Sequence, residues 1–460
     1  MEREALGSGR MYMNSTELFL TRLTDFFKTR IPDRVMDKAR LSLLDYLGVT
    51  LAGTKGIGDK IANYLKYEQP EPGGITAIGL GRRMNIKDAV FLNGLNGHAL
   101  DFDDGTNTGI IHLGSPLFSV LLPLAQRYGI ESDKFLKAAI IGYETSFTMA
   151  VSIQPGHKEM GYHATGTCGV LGIALAASYM LDFTWEQTVN AFSAACVSAT
   201  GMLKVLDDGS ELKPYNAAKS ALLGLTSVQM ARAGFMGHPD PLGGSRGYLK
   251  MMTGREDIRL EKPGMNGTYA IEKTYTKPYA ACRYCHPAIE AAINIRSRYG
   301  ILQQAVSSIE VRTYYWAVNN HDHTVIPGPA SAKMSIPYGV AAGLIWGKAG
   351  LAEYSSGRVQ DPDILALAAK VRVLSDREFT DLFPAMTTAV LKLTLDSGEE
   401  YTERVDFPKG EPENPLTKDE FSERFTELAV YSGKTREEAA ALMDYVNSMK
   451  GSMEGLFAYL

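Results

Sequence analysis

A chain of 460 residues exceeds what one hydrophobic core usually organises, so two domains are expected. Its 45% hydrophobic and 22% charged residues exclude disorder on a large scale. A net charge of −5 excludes general attraction to nucleic acid or an anionic membrane, so an anionic ligand must meet positive charge concentrated locally.

The opening MEREALGSGR mixes both charge signs without an apolar stretch, so a short leader and no secretory signal are expected, with Met13 as an alternative start. Ser15 then opens a helix through Leu18, Leu20, Leu23 and Phe26. Pro32 suits a helix start, and Val35, Met36, Ala39, Leu43, Leu44 and Leu47 follow at three-to-four spacing. A strand is expected at Ile75 to Ile78. Helices are expected over 86–100, 116–128, 132–153, 164–181, 184–200 and 215–233, and their many Ala, Gly and Ser residues predict close helix packing. The longest apolar stretches, Pro116 to Ala125 and Gly169 to Leu181, fall short of the ~20 residues that cross a bilayer. The four cysteines, Cys168, Cys196, Cys282 and Cys285, are too few for a disulfide scaffold and fit a reducing cytoplasm.

The texture changes near Thr274. Alternation over Ser307 to Trp316, a strand at Val371 to Leu374 and a hairpin from Thr387 through Asp396-Ser397-Gly398 to Val405 are interleaved with helices at about 285–299, 332–346 and 362–369. Thr417 and Glu420 form a capping box, and helices at 417–430 and 435–448 close the chain. The expected fold is mainly α: a large helical domain from both chain ends (13–273 and 411–460) and a smaller α+β lid domain (274–410).

Polar residues gather in four places. Asp101, Asp103 and Asp104 follow His98, with His112 downstream; this suits proton transfer or a metal, or simply aspartates that cap helices and turn the chain. His163 precedes an Ala-rich helix whose N-terminus favours anions, and a half-buried structural histidine is the plainer alternative. Lys213 stands just ahead of Pro214 at a helix start, where a cation opposes the macrodipole; it is either a solvated surface lysine or a group with a carboxylate to bind. Lys277 precedes Cys282-Arg283-Tyr-Cys285-His286, in which Arg283 has the fork to grip a carboxylate at two points. Haem attachment there lacks an export signal, and zinc lacks a second ligand pair. Gly53-Thr-Lys-Gly56-Ile-Gly58 lacks the dinucleotide context, and His321-Asp322-His323 reads as a solvated loop.

Together these motifs resemble the MmgE/PrpD family of 2-methylcitrate dehydratases, cis-aconitate decarboxylases and iminodisuccinate epimerase. The matching stretches are Ser42-Leu-Leu-Asp45-Tyr-Leu-Gly48, Asn93-Gly through His98-Ala-Leu-Asp101-Phe-Asp103-Asp104, Gly161-Tyr-His163, Lys213-Pro through Asn216-Ala-Ala-Lys219, Lys277-Pro-Tyr and Pro337-Tyr338-Gly. The resemblance implies a homodimer with a site between domains, no metal and no other cofactor. It carries Asp101, His112, His163, Lys213, Lys277 and Tyr338 over as site positions. The family's decarboxylases have threonine where this chain has Gly105, and the stretch from Asp101 to His112 is one residue longer here.

The expected chemistry is removal of a proton next to a carboxylate of a small di- or tricarboxylate, which needs cations at that carboxylate and a base at the C–H. Lys213, Lys277 and Arg283, with His286 beside them, are assigned to substrate binding; His163 is the preferred base or acid because imidazole titrates near neutrality. Asp101 orients a histidine or is the second proton carrier, His112 joins the catalytic set, and Tyr338 protonates a leaving hydroxyl or fixes the substrate. A 2-methylcitrate dehydratase-like hydro-lyase is expected first, with epimerase, cis-aconitate decarboxylase and non-catalytic carboxylate binder as alternatives.

Overall fold

A computed structural model describes residues 13–206, 210–301 and 303–460; the expected leader lies outside them. Helix Ser15–Phe26 is closed at its start by a capping box between Asn14 and Glu17. Pro32 is the N-cap of the long helix Asp33–Gly56, which buries Val35, Met36, Ala39, Leu43, Leu44 and Leu47 as the apolar spacing predicts. Helices Ile86–His98, Gly114–Tyr128, Ser132–Ile153, Trp185–Ser198 and Lys213–Arg232 follow. The single helix expected over 164–181 is two, Ala164–Thr167 and Gly169–Met180. Every residue of the latter except Tyr179 is buried, so it is a central helix and not an amphipathic one.

The mainly α fold divides into two units. One gathers the chain up to Val205, Leu212–Thr274 and Ser422–Leu460; the second is built on Tyr275–Phe421. The end of the second unit lies at Phe421 rather than 410, because the 411 segment is tied into it: Glu411 pairs with Arg283 at 2.6 Å. In the first unit the expected strand is β1, Pro72–Ala77, and it pairs antiparallel with a three-residue partner, β2, Arg82–Met84, too short to read from sequence.

The second unit holds a four-stranded sheet of β3 (Val306–Thr313), β4 (Val371–Ser375), β5 (Ala389–Leu395) and β6 (Glu400–Val405), in the order β4-β3-β5-β6. β3 and β4 run parallel, with Ile309 opposite Val371; β5 and β6 form the expected hairpin, with Leu393 opposite Tyr401. Helix His286–Tyr299 packs on β5 and β6, and helix Ile336–Trp346 packs on that helix. Thr417 and Glu420 form the expected capping box at 2.7 and 3.2 Å. Among the described residues no helix is long and apolar enough to cross a membrane.

Small residues set the helix spacing in the first unit. The glycine-rich run at 53–58 is no nucleotide loop: Gly53 lies inside helix Asp33–Gly56, where a Cβ would sit 2.0 Å from the Asn96 carbonyl oxygen. At Gly94 a Cβ would meet the Ala218 Cα at 2.7 Å, so helices Ile86–His98 and Lys213–Arg232 touch backbone to backbone. We expect Gly94→Ala to cost about 1–3 kcal/mol through overpacking. Gly58→Ala, which meets nothing within 4 Å, should leave stability unchanged or raise it slightly. Urea denaturation of the two variants checks the contrast; equal midpoints would refute the packing constraint.

Candidate functional site

Helix Ile86–His98 ends one residue before a sharp turn, and Asp101 sits in that turn at φ +51°, a left-handed conformation that aspartate tolerates better than most residues. The following chain forms a small loop closed by Thr106 N–H to the Ile111 carbonyl at 3.0 Å, and Ile110 within it also has φ +51°. For a β-branched residue this is strained by about 1–3 kcal/mol, a cost borne by a loop whose end delivers His112. The His112 backbone N–H donates to Thr165 Oγ1 at 3.1 Å, which ties that loop to helix Ala164–Thr167 beside His163.

Within the first unit the structure brings four expected residues into one neighbourhood. Lys213 Nζ lies 2.7 Å from Asp101 Oδ1, and His112 Nε2 lies 4.0 Å from the same oxygen. Lys213 is buried, at 8% exposure, so it is not a solvated surface lysine; a carboxylate does explain its place at a helix start, and Asp101 is one such carboxylate. His112 Nδ1 lies 2.8 Å from the Asp104 carbonyl oxygen, which only accepts, so Nδ1 carries the proton. In the neutral ring Nε2 is therefore the acceptor nitrogen, and it is the one on the Asp101 side.

His163, also buried, has Nδ1 3.0 Å from Asn216 Nδ2. Burial first, then the neighbouring His98, Lys213 and His112, holds its pKa well below the ordinary histidine value. Both effects favour the neutral imidazole over the charged one, against the expectation of titration near neutrality.

The three clustered aspartates divide their tasks. Asp103 accepts from Ser115 Oγ at 2.8 Å and lies 2.8 and 2.9 Å from His98 Nδ1; Asp104 accepts from Gly114 N–H at 2.9 Å and from the Tyr143 hydroxyl at 2.5 Å. Asp104 thus serves the start of helix Gly114–Tyr128, as the capping reading has it, and Asp101 faces His112 and Lys213. His98, Asp103 and His112 offer three ligand atoms within 4.8 Å of one another. Their short contacts are those of hydrogen bonds, since the Nδ1 atoms of both histidines are engaged with Asp103 or the Asp104 carbonyl.

In the second unit three of the expected residues are engaged within the protein. Arg283 is held by Glu411, by the Pro408 and Lys409 carbonyls at 3.3 Å and by His286 Nδ1 at 2.9 Å, so its two-point grip is on a protein carboxylate. His286 also donates Nε2–H to the Ala281 carbonyl at 3.1 Å, so both of its ring nitrogens are engaged within the protein. The Tyr338 hydroxyl donates to the Glu353 carbonyl at 2.6 Å, and burial pushes its pKa upward, which opposes use as an acid near neutrality. Lys277 is fully buried. His321 is buried with Nδ1 on the Asn319 carbonyl at 2.8 Å, and His323 is bonded to Ser331, so the pair is structural rather than solvated.

Sequence reasoning missed two contributors. Asn216 stands inside one of the matching motifs, but its residue type alone suggests no role there. Arg424, far along the chain, pairs with Asp45 at 2.5 Å and donates to the Phe102 carbonyl at 2.9 Å, pinning the backbone between Asp101 and Asp103.

Fold and site define a mainly helical, two-unit protein with a buried set of histidines, carboxylates and a lysine in its helical unit. The chain belongs to the MmgE/PrpD family: the family's N-terminal domain matches residues 23–261 and its C-terminal domain residues 279–447. It is 25% identical over 427 residues to cis-aconitate decarboxylase of Aspergillus terreus, covering 87% of this chain and 86% of that protein. It is 23% identical over 428 residues to the human cis-aconitate decarboxylase, covering 90% and 88%. It is 25% identical over 413 residues to 2-methylcitrate dehydratase of Cupriavidus necator, covering 81% of each. Both named activities are those of lyases.

Burial raises Asp104 from 3.8 to about 7, with Asp45 adding to the rise. A carboxyl whose folded pKa is raised binds its proton more tightly when folded. Its contribution is therefore present below about pH 4 and lost as pH climbs to about 7. A tenfold change in proton affinity is worth about 1.4 kcal/mol, so the loss amounts to a few kcal/mol at most. Asp104→Asn should flatten this part of the stability curve: relative to the variant, the native protein is more stable at pH 5 than at pH 8. Urea denaturation of both at the two pH values checks this, and parallel curves would refute it.

Proposed function

We propose that the protein is a lyase that removes a proton next to a carboxylate of a small di- or tricarboxylate, acting as a hydro-lyase of the 2-methylcitrate dehydratase kind. The observation that carries this is His112: its Nδ1–H is held by the Asp104 carbonyl, which leaves Nε2 as an acceptor beside the Asp101–Lys213 pair. Only residues of the helical unit enter the mechanism. His112 Nε2 takes the proton from the carbon next to the carboxylate. The imidazolium that forms is stabilised by Asp101, in the manner of a base–carboxylate pair. Lys213 supplies positive charge for the carboxylate on which electrons accumulate, where a fixed cation out of water is worth most. The β-hydroxyl then departs as water, taking the proton held by the His112 imidazolium, which leaves the alkene and restores the neutral base.

Two observations support a lyase over a simple binding protein. The proton-accepting nitrogen is oriented by the Asp104 carbonyl towards the Asp101–Lys213 pair, and the named relatives are a decarboxylase and a dehydratase. Decarboxylation would use the same cation and differ in which bond breaks.

The experiment is to incubate the protein with 2-methylcitrate, citrate, cis-aconitate or iminodisuccinate in D2O and follow each by proton NMR. Dehydration of a hydroxy-acid is expected. Decarboxylation or deuterium wash-in without elimination would replace hydro-lyase by decarboxylase or epimerase, and binding without turnover by calorimetry would favour a non-catalytic binder. On the active substrate, His112→Gln should lower kcat by about 10²–10⁴-fold, the usual contribution of a positioned base. Asp101→Asn should also lower kcat while keeping the fold, because asparagine accepts the left-handed backbone at that position. A His112→Gln variant with full turnover would remove His112 from the mechanism.

A further inference from the structure

The Asn216 amide has only one consistent orientation. Lys219 Nζ, which can only donate, lies 3.2 Å from Asn216 Oδ1; the Met202 carbonyl, which can only accept, lies 3.5 Å from Nδ2. The NH2 group therefore faces His163, and at 3.0 Å it donates to Nδ1. An Nδ1 that accepts cannot carry a proton, so the neutral ring must hold its proton on Nε2.

We propose that Asn216 is a positioning residue that fixes His163 as the Nε2–H tautomer, making His163 a hydrogen-bond donor to a substrate oxygen on which negative charge builds, and not a base. The inference deepens the lyase reading and rests on it for the identity of that oxygen; the tautomer itself does not. The two histidines of the helical unit then have opposite tautomers and opposite tasks. His112 is proton-bearing on Nδ1 through the Asp104 carbonyl, and His163 on Nε2 through the Asn216 amide.

The surroundings of His163 keep this assignment fixed. Asn216 is on the first turn of helix Lys213–Arg232 and is 2% exposed. The His163 backbone N–H donates to the Gly201 carbonyl at 3.0 Å, and Tyr162 bridges Met202, so the carbonyl that fixes the amide belongs to the segment that also anchors His163. The groups acting on the ring are His98, Lys213, His112 and His157, none of them an anion that would stabilise a second proton. A neutral imidazole donor polarises an oxygen without giving up its proton, which suits a step where charge appears and is then relieved.

The test uses the full chain labelled with 15N-histidine. The chain has eight histidines, and the resonances absent from His163→Gln identify those of residue 163. At pH 7 without substrate, long-range proton–nitrogen correlation should show this ring neutral and protonated on Nε2. In Asn216→Asp the carboxylate would accept from Nδ1, so the ring should become Nδ1-protonated or doubly protonated. With an active substrate, the variant should lose kcat on the alkaline side of the profile, where its ring has only the Nδ1 proton, by about the 10²–10³-fold that follows loss of one such donor. A wild-type ring that is charged at pH 7 or protonated on Nδ1 would overturn the proposal, as would an unchanged ring in Asn216→Asp. If that variant does not fold, the wild-type spectrum still decides. An Nε2–H ring in a protein that turns over none of the carboxylates would sustain the tautomer assignment and overturn the lyase reading.

Discussion

The contact of Gly94 with Ala218 sets the register on which the site depends. These residues bring helices Ile86–His98 and Lys213–Arg232 to backbone distance. One turn beyond Gly94 is His98, and the turn after it holds Asp101. Less than two turns before Ala218 are Lys213 and Asn216. A larger residue at 94 would push apart the two helix ends that carry the Asp101–Lys213 pair, and a 2.7 Å bond has no slack to absorb such a shift. The small-residue packing that looks like a general feature of the helical unit is, at this crossing, the device that brings a carboxylate and an ammonium together.

Burying these groups creates an electrostatic problem that the fold meets group by group. Asp45, Asp101, Asp103 and Asp104 are each at most 5% exposed. Asp101 faces Lys213, Asp45 faces Arg424, and Asp103 is bonded to His98 and Ser115. Even so, burial outweighs Arg424 and raises the Asp45 pKa. Asp104 accepts from neutral donors, the Tyr143 hydroxyl and the Gly114 N–H, which do not offset burial and the nearby Asp45, and its pKa rises to about 7. Removing one member of a buried ion pair typically costs about 3–5 kcal/mol, so the pairs constrain one another's positions as well as their charges.

What is legible in the sequence follows from how local each signal is. Helix spacing, the capping box at Thr417 and the hairpin at 396–398 are written within a few residues, and the structure shows them where the pattern puts them. The gathering of Asp101, His112 and Lys213 is suggested by motif order alone, while the contact between them spans more than a hundred residues of chain. Arg283 misleads in sequence because its partner Glu411 is 128 residues away, and nothing near a guanidinium reveals that a protein carboxylate already fills it. His163 misleads for a different reason. Its residue type suggests titration near neutrality, but burial and the neighbouring His98 and Lys213 lower its pKa, and none of these is visible in Gly161-Tyr-His163. Asn216 carries no charge and forms no recognisable pair in sequence, so its role depends wholly on which way its amide points.

An imidazole in a buried site has two ways of serving proton chemistry, and the groups around each ring choose between them. A carbonyl at Nδ1 makes His112 an acceptor at Nε2; an amide NH2 at Nδ1 makes His163 a donor at Nε2. Neither choice needs a shifted pKa to be maintained, because each follows from the fixed polarity of a neutral partner. Lys213 reinforces the division: its positive charge disfavours a second proton on His163, while Asp101 between Lys213 and His112 compensates the same charge for the base. On the proposed reading, the ion pair screens one histidine and exposes the other to the cation, so two rings set close to a single lysine take opposite tasks.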